Sequence, residues 1–198
     1  QMNNYNEKEI IALLQDPTRQ REAFEAVVRA YSEQIYWQIR RLVLSHDDAN
    51  DILQNTFIKA WLNIDYFRGE AKMSTWLYRI ALNECLTFLN KQRANNHLSI
   101  DESNIEMIQK LESDPYFDGD ETQKAFLKAV QTLPEKQRIV FNLRYYDDLS
   151  YEAISEIKYF KEMKYEEISE IIGTSVGALK ASYHHAVKKI EAYLEKVI

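Results

Sequence analysis

Apolar residues return at helical spacing along most of this chain. In DDANDILQNTFIKAWLNI (residues 47–64), Ala49, Ile52, Leu53, Thr56, Phe57, Ala60, Trp61 and Ile64 keep the i, i+3, i+4, i+7 rhythm of a helix with one buried face. Asp47 and Asp48 stand where a helix start favours a cap and negative charge. A second stripe shares this helix: Asp51, Gln54, Asn55, Ile58 and Leu62, polar mixed with apolar. A solvated face would hold more charge and fewer isoleucines and leucines. The stripe therefore either packs on a second side or docks a partner, and spacing alone leaves both readings open.

The next periodic stretch is FRGEAKMSTWLYRIALNECLTFLNKQR (residues 67–93). Phe67-Arg68-Gly69-Glu70 breaks the chain, and Ser74 is the expected cap of a new helix from Thr75. That helix brings Trp76, Tyr78, Arg79, Asn83, Lys91 and Arg93, with Glu84 as its one acid. Rings stack on bases, cations meet phosphates and an amide can bond a base edge, so the set suits single-stranded nucleic acid. Trp76 and Ile80, four residues apart, fit a core face equally well.

Near the C-terminus, a short periodic segment ends at Ile172-Gly173-Thr174 and SVGALKASYHHAVKKIEAYL follows. Gly173 suits the left-handed residue that closes a helix, and Thr174 or Ser175 can cap the next one. A short helix, a glycine turn and a longer helix make a helix-turn-helix, whose second helix can enter the major groove. Val176, Leu179, Tyr183, Val187 and Ile190 are expected to face inward; Gly177, Ala178, Lys180, Ala181, His184 and Lys188 outward. No acid falls between Glu170 and Glu191, while Lys180, Lys188 and Lys189 lie inside that window. His184 and His185 point about 100° apart on a helix. With no other ligand cluster nearby, neither a metal site nor a cofactor is expected.

Charge distribution strengthens this reading. The 198-residue chain has a net charge of −6, which by itself argues against a nucleic-acid partner. Yet residues 99–123 hold eight acids and one lysine, a net −7, so the remainder sums to +1. That stretch also carries Pro115 and Gly119 and separates two periodic halves. It reads as a linker, with IEMIQKL able to form a short helix inside it. Four glycines and three prolines favour helices with short joints over sheets. The expected fold is all-α: two small helical domains, residues 1–98 and 124–198, joined by the acidic linker and the second a helix-turn-helix. No apolar run reaches membrane-spanning length, and the opening QMNNYNEKE does not read as a signal peptide. The single cysteine, Cys85, is expected in the core and suits a reducing cytoplasm. No catalytic cluster emerges, so an enzyme is not expected.

Taken together, these segments resemble the extracytoplasmic-function (group IV) sigma factors of bacterial RNA polymerase. DDANDILQNTFIKAW followed by FRGEAKMSTWLYRIALN matches the family's second conserved region; LPEKQRIVFNLRYYDDLSYEAISEI and IIGTSVGALKASYHHAVKKI resemble its fourth. The resemblance implies that Asp51, Gln54, Asn55, Ile58 and Leu62 dock on core RNA polymerase. It implies that Arg68, Lys72, Trp76, Arg79, Asn83, Lys91 and Arg93 face the opened minus-ten promoter element, with Asn83 reading a flipped base. Thr174, Ser175, Gly177, Ala178, Lys180, Ala181, His184 and Lys188 would meet the minus-thirty-five element. An anti-sigma protein is implied as a further partner, and no bond-making chemistry. Departures from the family pattern are Met73 for a frequent Phe, Thr87 and Asn90 for Asp and Arg, and Ser182 and His185 for two arginines. Fewer arginines mean fewer bidentate guanine contacts, so promoter preference does not carry over. A free-standing regulator would bind DNA without polymerase, whereas a helical adaptor would bind neither.

One feature lies outside the family pattern. Residues 144–157, RYYDDLSYEAISEI, align without a gap on 158–171, KYFKEMKYEEISEI, though the fourth region needs the unit once. The first copy keeps turn chemistry, Asp147-Asp148 and Ser150; the second reads Lys161-Glu162 and Lys164. A tandem duplication, one extended helix and a merged record of two variants all fit. The favoured reading is duplication, with the second copy serving the helix-turn-helix because it directly precedes Gly173.

Overall fold

The computed structural model describes residues 6–97, 120–145 and 165–197, together with Glu102, Ile105, Glu106, Gln109 and Ser113. The described elements are α1 (Glu7–Leu14), α2 (Gln20–Val43), α3 (His46–Leu62), a 3-10 turn (Ile64–Tyr66) and α4 (Met73–Asn96). After the acidic stretch come α5 (Glu121–Gln131), α6 (Glu135–Tyr145), α7 (Tyr165–Ile172) and α8 (Val176–Val197). No strand occurs among the described residues. Glu102, Ile105, Glu106 and Gln109, inside the acidic stretch, are helical.

Local capping explains three boundaries that differ from expectation. Helix α3 is capped by Ser45, whose Oγ accepts from the Asp48 N–H at 3.4 Å. Asp47 and Asp48 instead fill the first turn, where their charge meets the positive end of the helix dipole. Helix α4 begins at Met73 rather than Thr75, and its flanking residue Lys72 makes no side-chain cap bond. A carboxylate from another helix takes that role: Glu7 Oε1 of α1 accepts from the Met73 N–H at 2.7 Å. Met73 itself is fully buried, so the early start anchors the helix in the core. Helix α5 opens with a capping box, inside the stretch expected as linker. Asp120 accepts from the Gln123 N–H at 2.8 Å and Gln123 Oε1 accepts from the Asp120 N–H at 3.1 Å.

Helices α2, α3 and α4 each pack against the other two, and α1 lies on α2. Ile35, Ile39, Ala49, Ile52, Ala60, Leu77, Ala81 and Cys85 are buried there. Phe24 of α2 meets Phe57 edge-on at 6.4 Å between centroids and Trp61 at 5.1 Å. Burial, helped by the charge of Glu84, pushes the Cys85 thiol well above its ordinary pKa, so it stays a neutral core group. Helices α5 and α6 pack on α8 around Val130, Leu133, Phe141, Ala186 and Ile190. Phe141 stacks on Tyr145 at 5.0 Å and on Tyr183 at 5.7 Å.

These two helical units meet face to face. Leu127, Ile139, Val140 and Leu143 of α5 and α6, Ile168 and Ile171 of α7, and Leu179 of α8 belong to the same buried cluster as the N-terminal core. Helix α7 packs on α4, and α6 on α2. Each fully buried Ile or Leu contributes about 1.5–3 kcal/mol, so this shared layer is an apolar interface of consequence.

Candidate docking and nucleic-acid surfaces

The mixed stripe of α3 faces outward. Asp51, Gln54, Asn55, Ile58 and Leu62 are all exposed, on the side opposite buried Ala49, Ile52, Thr56 and Ala60. Ile58 is 56% and Leu62 70% exposed, so the stripe is not packed against a second side of this chain. Tyr66, in the 3-10 turn that follows, is 78% exposed. Sequence reasoning did not include it, although a lone tyrosine in a polar turn was the available signal. Large exposed apolar side chains beside polar groups are the composition of a protein-docking surface.

The second set lies on the loop before α4 and along α4. Arg68, Lys72, Arg79, Asn83 and Lys91 are exposed, whereas Trp76 and Arg93 are half-buried. Gly69, at φ +74°, turns the loop that carries Arg68 and Lys72. Trp76 leans on Phe67 with centroids 5.0 Å apart and packs against the core cluster, as the core reading of that ring anticipated. Glu84, the one acid of α4, pairs with Lys59 of α3. Asn83 remains on the exposed face.

Three of these cations touch the C-terminal helices. Lys72 Nζ lies 3.0 Å from Glu167 Oε1 of α7. The Arg79 guanidinium donates to the backbone carbonyl of Glu170, also on α7. Arg93 pairs with Glu135 of α6 at 2.7 Å and donates to the Asn90 side chain. Glu135 also faces Arg138, whose guanidinium pKa is lowered by burial first, with Glu135 opposing and Arg93 adding to the shift. Sequence reasoning missed Glu135, Glu167 and Glu170 as partners of this face.

The third set surrounds the turn into α8. Gly173 adopts φ +77° and its N–H donates to the Ser169 carbonyl at 2.8 Å. A Cβ at this position would meet nothing within 4 Å, so backbone conformation alone favours the glycine. Ser169 Oγ donates to the Thr174 carbonyl at 2.7 Å, and Ser175 Oγ accepts from the Ala178 N–H at 3.3 Å. Ser175, not Thr174, therefore caps α8. Gly177, Ala178, Lys180, Ala181, His184 and Lys188 are exposed, and Thr174 is half-buried. Of the residues expected inward, Leu179 and Ile190 are buried and Val176, Tyr183 and Val187 are half-buried; Ala186 joins them in the core. The ring of Tyr165, at the start of α7, takes the Arg144 guanidinium 4.4 Å and the Lys180 ammonium 5.8 Å from its centroid.

Second-copy residues 165–171 form most of α7, with Ile168 and Ile171 buried against the core. Of the first copy, only Arg144 and Tyr145 lie among the described residues, at the end of α6; residues 146–164 lie outside them.

The Sigma-70 region 2 family matches residues 27–95, and the Sigma-70, region 4 family matches residues 123–157. The second match stops at the last residue of the first copy, short of Gly173. The ECF RNA polymerase sigma factor SigW of Bacillus subtilis (strain 168) is 33% identical over 144 residues, covering 69% of this chain and 77% of the relative. The ECF RNA polymerase sigma-E factor of Escherichia coli (strain K12) is 34% identical over 144 residues, covering 69% of this chain and 75% of its own. Among solved structures, CnrH in complex with the cytosolic domain of CnrY shares the fold with a TM-score of 0.63 at 21% identity, over 96% of this chain and 97% of that one. The sigma factor RpoE in complex with the anti-sigma factor NepR from Bartonella quintana gives 0.60 at 20% identity, over 87% and 96%.

Proposed function

The chain belongs to the extracytoplasmic-function sigma factors of the sigma-70 family, and from that premise we propose how its surfaces divide the work. It binds core RNA polymerase and directs it to promoters, so that DNA-templated transcription begins. The observation that carries the reading is the presence of both sigma regions in order, supported by exposed polar and basic side chains on α3, α4 and α8.

Docking falls to Asp51, Gln54, Asn55, Ile58 and Leu62 of α3. Burying Ile58 and Leu62 against a partner supplies apolar energy, while the amides and Asp51 fix register. Promoter melting falls to the α4 face, where Arg68, Lys72, Arg79, Lys91 and Arg93 attract phosphate and Asn83 bonds an unstacked base. Trp76 belongs to this set only if it leaves its place against Phe67. Helix α8 enters the major groove at the minus-thirty-five element through Thr174–Lys188, with Lys180 and Lys188 on phosphates. The protein contributes binding energy and specificity to the polymerase, and no side chain is assigned a catalytic role. Among the described residues, no helix is long and apolar enough to cross a membrane. An anti-sigma protein is a further proposed partner, supported by the family and by the solved complex of RpoE with NepR.

Pull-down with core RNA polymerase, followed by transcription from a promoter library, tests this function. Co-purification and promoter-dependent transcripts are expected. DNA binding without polymerase dependence would instead favour a free-standing regulator.

A further inference from the structure

The loop between the 3-10 turn and α4 carries Arg68 and Lys72, both exposed, yet it has little structure of its own. Its buried anchors are Phe67 and Met73. Among the described residues, no backbone–backbone hydrogen bond involves Arg68, Gly69, Glu70 or Ala71. A distant part of the chain holds the loop instead. Gln20 Nε2 of α2 donates to Asp65 Oδ1 at 2.8 Å, and Gln15 Nε2, at the end of α1, donates to the Phe67 carbonyl at 3.4 Å. Ile11 of α1 lies against Gly69, its Cγ2 3.4 Å from where a Cβ on that glycine would stand. Glu7 Oε1 accepts from the Met73 N–H at 2.7 Å. We propose that α1 and the turn after it brace this loop for promoter recognition. Gln15 and Gln20 are then positioning residues for Arg68 and Lys72, a role that rests on the reading of those cations as DNA contacts.

The contacts keep a register. Glu7, Ile11 and Gln15 stand four residues apart on one face of α1, and they meet Met73, Gly69 and Phe67 in reverse chain order. Positions four apart on a helix drift by only about 40°. The two outer bonds bracket the cations. The Phe67 carbonyl belongs to the peptide plane that enters Arg68, and the Met73 N–H to the plane that leaves Lys72. Holding those planes holds the directions in which both side chains leave the backbone. An untethered loop would order itself only on meeting DNA, and its affinity would fall by that lost freedom. Gln20 fastens the far end of the brace. Its amide nitrogen also donates to the Leu14 carbonyl at 3.1 Å, which ties the end of α1 to Asp65. Neither glutamine belongs to the core: Gln15 is exposed and Gln20 half-buried. A change at either therefore acts on the aim of the loop more than on the fold.

The test uses the full chain assembled with core RNA polymerase and a randomised single-stranded DNA library, from which wild type selects a preferred oligonucleotide. Gln15→Ala with Gln20→Ala is expected to bind that oligonucleotide about fivefold more weakly and with a flatter sequence preference. Its affinity for core polymerase and its Tm should stay at the wild-type values. The salt slope of DNA binding should also hold, since both cations remain, whereas Arg68→Ala should lower it by about 0.7. Gln20→Glu with Asp65→Asn reverses donor and acceptor at constant net charge, and should recover the affinity that Gln20→Glu alone loses. Wild-type oligonucleotide binding by the double alanine variant would overturn the brace. A loss that appears equally in polymerase affinity or Tm would mean a general structural role and overturn it too. Unchanged affinity and slope for Arg68→Ala would overturn the DNA reading of the loop, and the brace with it. Transcription from a promoter library checks the sigma function independently, so a failed brace and a failed function give different results.

Discussion

Glu7 caps a helix that begins 66 residues later, and its loss should have a cost distinct from that of an ordinary surface acid. Replacing it with alanine leaves the Met73 N–H, at the start of α4, without its 2.7 Å acceptor. Losing a side-chain cap typically costs about 1 kcal/mol, and a bond to a charged acceptor brings that to about 1.5–3 kcal/mol when buried. Glu7 is only half-buried, so about 1–2 kcal/mol is the appropriate range. Part of any loss would come from the first turn of α1, where Glu7 and Glu9 both favour the helix dipole. Glu9→Ala removes that contribution alone, at about 0.3–1 kcal/mol. The difference between the variants, about 1 kcal/mol, isolates the long-range cap. For a chain of this length it corresponds to about 2–4 °C in Tm. Urea titration and thermal melts of both variants provide the comparison. If Glu7→Ala and Glu9→Ala lose the same stability, the carboxylate does not cap α4 in solution and this reasoning is wrong.

Asp51→Ala with Gln54→Ala should weaken binding to core polymerase by about tenfold while leaving the helical circular dichroism unchanged, since both side chains are exposed; unchanged affinity would remove α3 from the docking role. Asn83→Ala should reduce open-complex formation more than closed-complex binding, because an extruded base is available only after strand separation; wild-type permanganate footprints would make Asn83 structural. Lys180→Ala or Lys188→Ala should weaken binding at every sequence tested and lower the salt slope by about one; loss confined to one promoter would contradict a phosphate role. Deleting Arg144–Ile157 should preserve minus-thirty-five binding, since Lys158–Ile171 follows in register and the removed unit carries one cation and four acids; loss of binding by a folded deletion, measured with polymerase across a salt series, would show that the first copy is essential.

The outward stripe of α3 was legible because Ile58 and Leu62 break the expected polarity of a solvated face. The turn at Gly173 was legible because a glycine between two periodic runs has a specific backbone use. Helix starts were less so: two aspartates drew attention from Ser45, and Glu7 lies too far in sequence from Met73 for any local pattern to reveal it. The meeting of the two units was not legible at all. Tyr78, Leu82, Arg79 and Arg93 form a face of rings, aliphatics and cations whose chemistry suits nucleic acid and a protein surface alike. Composition identifies such a face as sticky but not what it meets. Similarly, Asp120–Gln123 reads as linker by charge, yet the same residues make a reciprocal capping box once a helix follows.

Tyr165 carries a consequence for how α8 could meet DNA. A surface lysine ordinarily samples many rotamers, and fixing it in a complex costs about 0.5–1.5 kcal/mol. Lys180 has an aromatic face within reach, its ammonium 5.8 Å from the Tyr165 ring. Some of that freedom is therefore surrendered when the chain folds, before any phosphate arrives. The Arg144 guanidinium, 4.4 Å from the same ring, helps hold the tyrosine in place. A recognition helix with Ser182 and His185 in place of two frequent arginines thus begins its encounter with one cation, Lys180, already aimed, and lower entropy loss offsets part of the missing bidentate bonding.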